Sequence, residues 1–342
     1  MKFVNYIKIS VLVFAMTFLL NGCERKTEDF SGTYCINIQN MDMTIVQTGL
    51  SVTFTLQSDI LQNGTGEVKD NTLTLTATTS GSETFTSQLT FSGDRQSFSG
   101  PFIITGLSGE TMLEGILLGT KGECAKYDIS ANGIPRFAET DFTQLSKIEK
   151  ISKFRSGFGH SFTDGSESCR SMKHYYNPYV DFRQNNNVEV YSPVDGTIIS
   201  VLNDGHGAST GLTNKQIEIK PDDQPAFVYI LYHCDLASAD IATGKKVSAG
   251  DLIGYAKMYY ADLQQYATSF DIAAWVNTPS GMQLISWFET LKDDVFANYV
   301  SRGVPSRDNF IITREARDSD PLQCNGETFL TSGSIDNWVI LN

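Results

Sequence analysis

Val52-Thr53-Phe54-Thr55-Leu56, joined further on by Leu73-Thr74-Leu75-Thr76 and by Phe85, Leu89 and Phe91, alternates apolar with polar side chains. Successive residues of a strand point to opposite faces, so a period of two marks half-buried strands. Asn63-Gly64, Lys69-Asp70-Asn71 and Ser92-Gly93-Asp94 punctuate these strands with turn residues. Some seven short strands at this spacing, between Asp29 and Tyr127, predict an antiparallel β-barrel or sandwich. The region contains no His or Trp. It reads as a spacer or binding module, not as a seat of chemistry.

Ahead of it, Lys2 and Lys8 precede an apolar run from Ile9 to Leu20, too short for a comfortable membrane span and typical of a signal peptide over residues 1–22. The run ends in Leu19-Leu20-Asn21-Gly22-Cys23, which resembles the lipobox of bacterial lipoproteins. That resemblance implies a diacylglycerol on the Cys23 thiol, residues 23–28 as anchor and tether, and a chain that faces away from the cytoplasm. Glu24, in place of the Asp that favours inner-membrane retention in Gram-negative sorting, points to the outer membrane. Losing Lys2 and Lys8 from 26 Lys+Arg leaves 24 against 39 Asp+Glu, a formal charge of −15. An acidic chain of this kind is not expected to bind nucleic acid. With Cys23 lipidated, five of the six cysteines remain in an oxidising compartment: Cys35, Cys124, Cys169, Cys234 and Cys324. Cys35 and Cys124 bracket the first domain and are placed to close it, and an odd number leaves at least one thiol over.

Phe142, Leu145, Ile148 and Ile151 recur at helical spacing, which predicts a short amphipathic helix within a linker over residues 128–155. All four histidines, His160, His174, His206 and His233, come after that linker, so any chemistry belongs to residues 156–342. Near the C-terminus, Trp287, Phe288 and Leu291 with Val295, Phe296 and Tyr299 predict an apolar helical face. With the tail beyond Arg302 it forms the expected helical cap.

Three segments of this second domain are similar, in order, to the LytM, or M23, family of zinc peptidoglycan endopeptidases. Asn177-Pro178-Tyr179-Val180-Asp181 followed by Val190-Tyr191-Ser192-Pro193-Val194-Asp195-Gly196-Thr197 resembles the family's HxxxD motif and the hairpin after it. Tyr229-Ile230-Leu231-Tyr232-His233-Cys234-Asp235-Leu236 resembles its YxHL strand, and Gly244-Lys245-Lys246-Val247-Ser248-Ala249-Gly250-Asp251 its glycine turn. Ser269-Phe270-Asp271-Ile272 stands where the family has HxH. The resemblance implies a LytM-like antiparallel β domain of the duplicated-hybrid-motif type, with an open groove lined by Asn177, Asp181, His233 and Asp271. In the family, the His and Asp of HxxxD and the second His of HxH hold zinc, while the remaining two histidines handle water and oxyanion.

Here the corresponding positions read Asn177, Asp181 and Asp271 for metal, with Ser269 and His233 as the catalytic pair. Oxygen donors alone suit Ca²⁺ or Mg²⁺ better than zinc. A zinc site remains possible if His160, which also begins an HxxxD spacing, or His174 folds back to join Asp181 and Asp271. Asp181 lies 15 residues before Gly196, whereas Asp164 lies 32 before it. The sequence therefore points to an envelope lipoprotein whose degenerate domain binds peptidoglycan peptide or an envelope protein without cutting it, with no cofactor expected. The competing reading is a metal-dependent peptidoglycan endopeptidase with rearranged ligands. His206 reads as a solvated loop residue, Asp222-Asp223 as a turn, and Trp275, Trp287 and Trp338 as core residues. Replacing Cys23 by Ala should release the protein from the membrane fraction or leave an unprocessed precursor. Fractionation that finds a processed, membrane-bound Cys23→Ala chain would refute the anchor.

Overall fold

The computed structural model describes residues 29–56, 61–185, 187–203 and 211–342, so Cys23 and His206 lie outside the described residues. Eight strands come first: β1 (Gly32–Ile36), β2 (Met41–Thr48), β3 (Ser51–Leu56), β4 (Asn63–Lys69), β5 (Thr72–Thr78), β6 (Thr84–Phe91), β7 (Ser97–Thr105) and β8 (Thr111–Lys121). Each pairs antiparallel with the next, and β1 also pairs with β8, so the sheet closes into a barrel and not a sandwich. Every second residue of β6 is buried, and Phe54, Leu73, Phe85, Leu89, Phe91 and Phe102 fill the interior. Gly119 lies against the Phe98 ring, where a Cβ would collide. The expected Cys35–Cys124 disulfide is present and joins β1 to the chain just beyond β8.

An eleven-stranded antiparallel sheet follows. Its strands are β9 (Ile148–Ser152), β10 (His174–Pro178), β11 (Glu189–Tyr191), β12 (Gly196–Asn203), β13 (Lys215–Pro221), β14 (Phe227–Leu236), β15 (Lys246–Val247), β16 (Leu252–Ala256), β19 (Phe270–Thr278), β20 (Gly281–Ile285) and β23 (Trp338–Ile340). Two short hairpins lie apart from it, β17 (Tyr259–Tyr260) with β18 (Gln265–Tyr266) and β21 (Cys324–Asn325) with β22 (Thr328–Phe329). The main path runs β15-β12-β13-β14-β19-β10-β9-β23. Central β19 is buried along its whole length. Phe270, Ile272, Ala274 and Val276 face one core with Tyr229 and Trp287. Ala273 and Trp275 face another with Val228, Ile230, Phe154 and Met172. The hairpin and the glycine turn singled out in the sequence meet here: Ala249 N donates to Asp195 Oδ1 at 2.8 Å, with Gly250 in the left-handed conformation (φ +87°) that glycine adopts without strain.

The helix expected between residues 138 and 154 does not form. Leu145–Lys147 is one 3₁₀ turn, and Ile148–Ser152 becomes β9, paired with β10 on one side and β23 on the other. Two ladders of backbone hydrogen bonds and burial of both Ile148 and Ile151 outweigh a helical spacing carried by four residues. The apolar stretch after 286 is helical in two pieces, Trp287–Thr290 and Asp293–Ser301, and the chain ends by adding β23 to the sheet. Arg317 is fully buried and bonds Arg155 O and Asn337 Oδ1. Among the described residues no helix is long and apolar enough to cross a membrane.

The barrel rests on β12 and β13. Asn37 Nδ2 donates to Ile116 O and Ile199 O at 2.9 and 2.6 Å, Asn40 Nδ2 to Pro225 O at 3.0 Å, and Gln39 N to Glu218 Oε2 at 3.1 Å. Leu202 of β12 enters the barrel's own apolar cluster. Burial pushes the Glu218 carboxyl up to about 7. Because the folded value lies above the unfolded one, this group favours folding fully below pH 4.5, and its contribution fades as pH rises through about 7. Glu218→Gln should therefore flatten the fall in thermal stability between pH 5 and 8, by up to about 3 kcal/mol from the shift. Parallel pH profiles for the two proteins would exclude this role.

Candidate functional site

Lys173 stands immediately before β10, and Asp271 is the second residue of β19. The antiparallel register sets Tyr175 opposite Asp271 and His174 opposite Ile272. Side chains alternate along a strand, so Lys173, Tyr175 and Asn177 share one face while His174 and Tyr176 take the other. Lys173 Nζ lies 2.5 Å from Asp271 Oδ2, with the two side chains only 2% and 0% exposed. The ammonium also lies over the rings of Tyr232, Phe162 and Tyr175, at 4.2, 4.9 and 5.2 Å. Aromatic faces attract a cation and replace part of its lost hydration.

His233 completes the cluster, with Nε2 3.3 Å from Asp271 Oδ1 and Nδ1 3.2 Å from Tyr260 OH. Its backbone explains how it arrives there. Lys215 pairs with Cys234 and Ile217 with Leu231, so two steps along β13 match three along β14. The extra residue is a β-bulge, and His233 sits in it with φ +55°. A non-glycine residue in this conformation costs about 1 kcal/mol or more. The bulge resets the alternation, so Tyr232 and His233 both reach the Asp271 side while Cys234 returns to the core opposite. Among the described residues Cys234 is the free thiol, buried, and pushed up by that burial.

Burial opposes ionisation of Asp271, but the nearby Lys173 and His233 outweigh it and hold the carboxyl well below the usual carboxylate range. Asp271 is therefore an anion clasped by a cation, not a carboxylate open to a groove. Tyr232 and His233 remain half-buried, with His160 close by. The β17–β18 hairpin presents Tyr259 and Tyr266, both exposed, with ring centroids 4.9 Å apart.

The other expected site residues lie elsewhere. Asp181 is exposed on the short helix Val180–Gln184, because the chain leaves the sheet at Pro178 before reaching it. His174 faces the opposite side of the sheet, 1% exposed, with Nδ1 on Ser152 O and Nε2 on Ser286 Oγ at 2.8 and 2.9 Å. Burial pushes its imidazole down to about 4, which suits a neutral core histidine. Asn177 is buried on the Lys173 side, its amide oriented to donate to Thr268 O and Pro178 O. Ser269 is half-exposed just ahead of β19. His160 lies near enough for Lys173 and Asp271 to influence it, and its Nδ1 is 3.4 Å from Glu327 Oε2. Asp181, Asp271, His174 and His160 thus do not converge as metal ligands. No group of three His, Cys, Asp or Glu suited to a metal exists among the described residues.

A zinc ion does not fit these donors. The space beside Asp271 is filled by the Lys173 ammonium, which carries no lone pair to give a metal and repels a second cation. Sequence reading missed Lys173 because lysine is not a ligand type. The available signal was spacing: Lys173-x-x-x-Asn177 has the HxxxD interval four residues ahead of Asn177-x-x-x-Asp181. Replacing Lys173 by Met should destabilise the fold by about 3–5 kcal/mol, since it leaves a buried carboxylate alone. Adding Asp271→Asn should recover part of that loss. Chemical denaturation of the two variants checks this, and a neutral Lys173→Met would show that the pair contributes nothing.

No known family model matches the chain, and no curated protein matches it. Among solved structures it is similar to Helicobacter pylori Csd3 in two crystal forms. The orthorhombic form shares 11% identity at a TM-score of 0.32, covering 77% of this chain and 82% of that one. The hexagonal form shares 12% identity at a TM-score of 0.26, covering 77% and 80%.

Proposed function

We propose that this chain is an envelope lipoprotein, tethered through Cys23, whose second domain is a LytM-like module that binds peptidoglycan peptide or an envelope protein without hydrolysing it. The ordered resemblance of residues 177–276 supports the module, and the lipobox-like Leu19-Leu20-Asn21-Gly22-Cys23 supports the tether. The observation that carries the non-hydrolytic reading is the Lys173–Asp271 contact at 2.5 Å. In the resembling family, that position belongs to the metal that activates water. A bound zinc brings water to a pKa near 7 against about 15.7 in bulk, and an ammonium locked on a carboxylate offers no equivalent.

What remains accessible suits recognition. His233 is held by Tyr260 at the rim of the sealed pair, and the exposed rings of Tyr259 and Tyr266 stand on the adjoining hairpin. Such flat, amphipathic rings stack on sugar or peptide surfaces while their hydroxyls stay wet. The formal charge of −15 without the leader favours a ligand that carries amino groups, as cell-wall peptides do.

Purified full-length protein should release no muropeptides from peptidoglycan sacculi, with or without added zinc, yet should co-sediment with them or with an envelope partner. Substituting Tyr259 or Tyr266 by Ala should weaken co-sedimentation several-fold while the circular dichroism spectrum and melting curve stay intact. Muropeptide release that EDTA abolishes and zinc restores would replace this reading with the endopeptidase.

A further inference from the structure

The Lys173–Asp271 contact has the makings of more than an ion pair. Its two partners project from adjacent antiparallel strands on one face, 2.5 Å apart and cut off from water. Both carboxylate oxygens of Asp271 are engaged, Oδ2 by Lys173 Nζ and Oδ1 by His233 Nε2. Three aromatic rings, from Phe162, Tyr175 and Tyr232, crowd the nitrogen. A titratable group, His233 Nε2, lies 3.3 Å from the other carboxylate oxygen. We infer that Lys173 and Asp271 join in an intramolecular isopeptide bond, a covalent cross-link between β10 and β19 formed by the folded chain itself.

The chemistry needs nothing that the site lacks. Transfer of one proton from the ammonium to the carboxylate gives the neutral amine and carboxylic acid that react; the ionic pair is the resting form, and burial lowers the cost of neutralising both partners together. The lone pair of Nζ then forms the new bond to Asp271 Cγ, and the C–O bond to the acid's hydroxyl breaks. His233 accepts the proton that the nitrogen sheds and delivers it to the departing hydroxyl, which leaves as water. Ammonium plus carboxylate thus becomes amide plus one water, with no oxidation or reduction. Holding the reactants in contact removes the entropic penalty that makes this condensation negligible between free side chains. Exclusion of water then protects the amide once made. Tyr260 OH, 3.2 Å from Nδ1, keeps the imidazole turned to the carboxyl. The inference builds on the same contact that carries the proposed function, but its test reads a peptide mass and is independent of ligand binding.

The test is peptide mapping of the native full-length protein after reduction, alkylation and trypsin. The expected result is a branched peptide joining residues 171–183 to 258–292, uncleaved after Lys173 and lighter than its two linear parts by one water, about 18 Da. Lys173→Arg, whose guanidinium keeps the charge but is not a nucleophile, should yield only the linear peptides. His233→Ala should lower the cross-linked fraction at least several-fold. Recovery of the linear peptides 174–183 and 258–292 at full mass from the wild-type protein, with no branched species, would overturn the inference whether or not the variants fold.

Discussion

An ammonium and a carboxylate buried against each other need compensation for the water they have lost, and in this protein the surroundings of Lys173 and Asp271 supply it. The β10–β19 register sets the two chains side by side, and the rings of Tyr175, Phe162 and Tyr232 line the cation's side. The bulge at His233 brings an imidazole to the carboxylate's other oxygen, at the expense of one left-handed residue. The segment leading into Lys173 is itself tied down, because Cys169 is bonded to Cys324 in the β21–β22 hairpin. A slip of one residue along β10 would turn Lys173 to the opposite face and leave Asp271 an isolated buried charge, so the pair also polices the register of the central sheet.

The same arrangement underlies the proposed binding role. Around it, the hairpin and the glycine turn are tied together, with Asp195 bonded to Ala249 and β12 paired to β15. At its centre the Lys173 ammonium sits on the Asp271 carboxylate. An ammonium held on the carboxylate leaves no room beside Asp271 for a second cation.

The barrel is coupled to this domain and is not merely strung in front of it. Asn37, Gln39 and Asn40 of the β1–β2 connection reach β12, β13 and the turn before β14 through side-chain and backbone hydrogen bonds, while Leu202 crosses in the other direction. Burying Glu218 at this junction is tolerable because Gln39 N and Gln216 Nε2 donate to its two oxygens. Since β13 pairs with β14, which carries His233, the barrel lies two strands from the candidate site.

Local sequence determined the features set by short-range physics. The alternation of Val52-Thr53-Phe54-Thr55-Leu56 and its neighbours determined half-buried strands, and hence the mainly β class, because side-chain period is a property of the strand itself. The Lys69-Asp70-Asn71 and Ser92-Gly93-Asp94 turns determined where two hairpins reverse, whereas Asn63-Gly64, equally turn-like in sequence, lies inside β4 because both flanks pair with neighbouring strands. Closure of the barrel, the conversion of Ile148–Ser152 from an apparent helix to β9, and the choice of Cys234 as the free thiol depended on which distant strands pair. The site was decided at that level too. Asp271 and His233 were legible as candidates, but Asp181 and His174 were not excluded until Pro178 ended a strand and alternation turned His174 into the core. Lys173 is indistinguishable in sequence from any solvated lysine. It became the centre of the molecule only when β10 met β19, because a charge acquires its meaning from its surroundings in space and not from its neighbours along the chain.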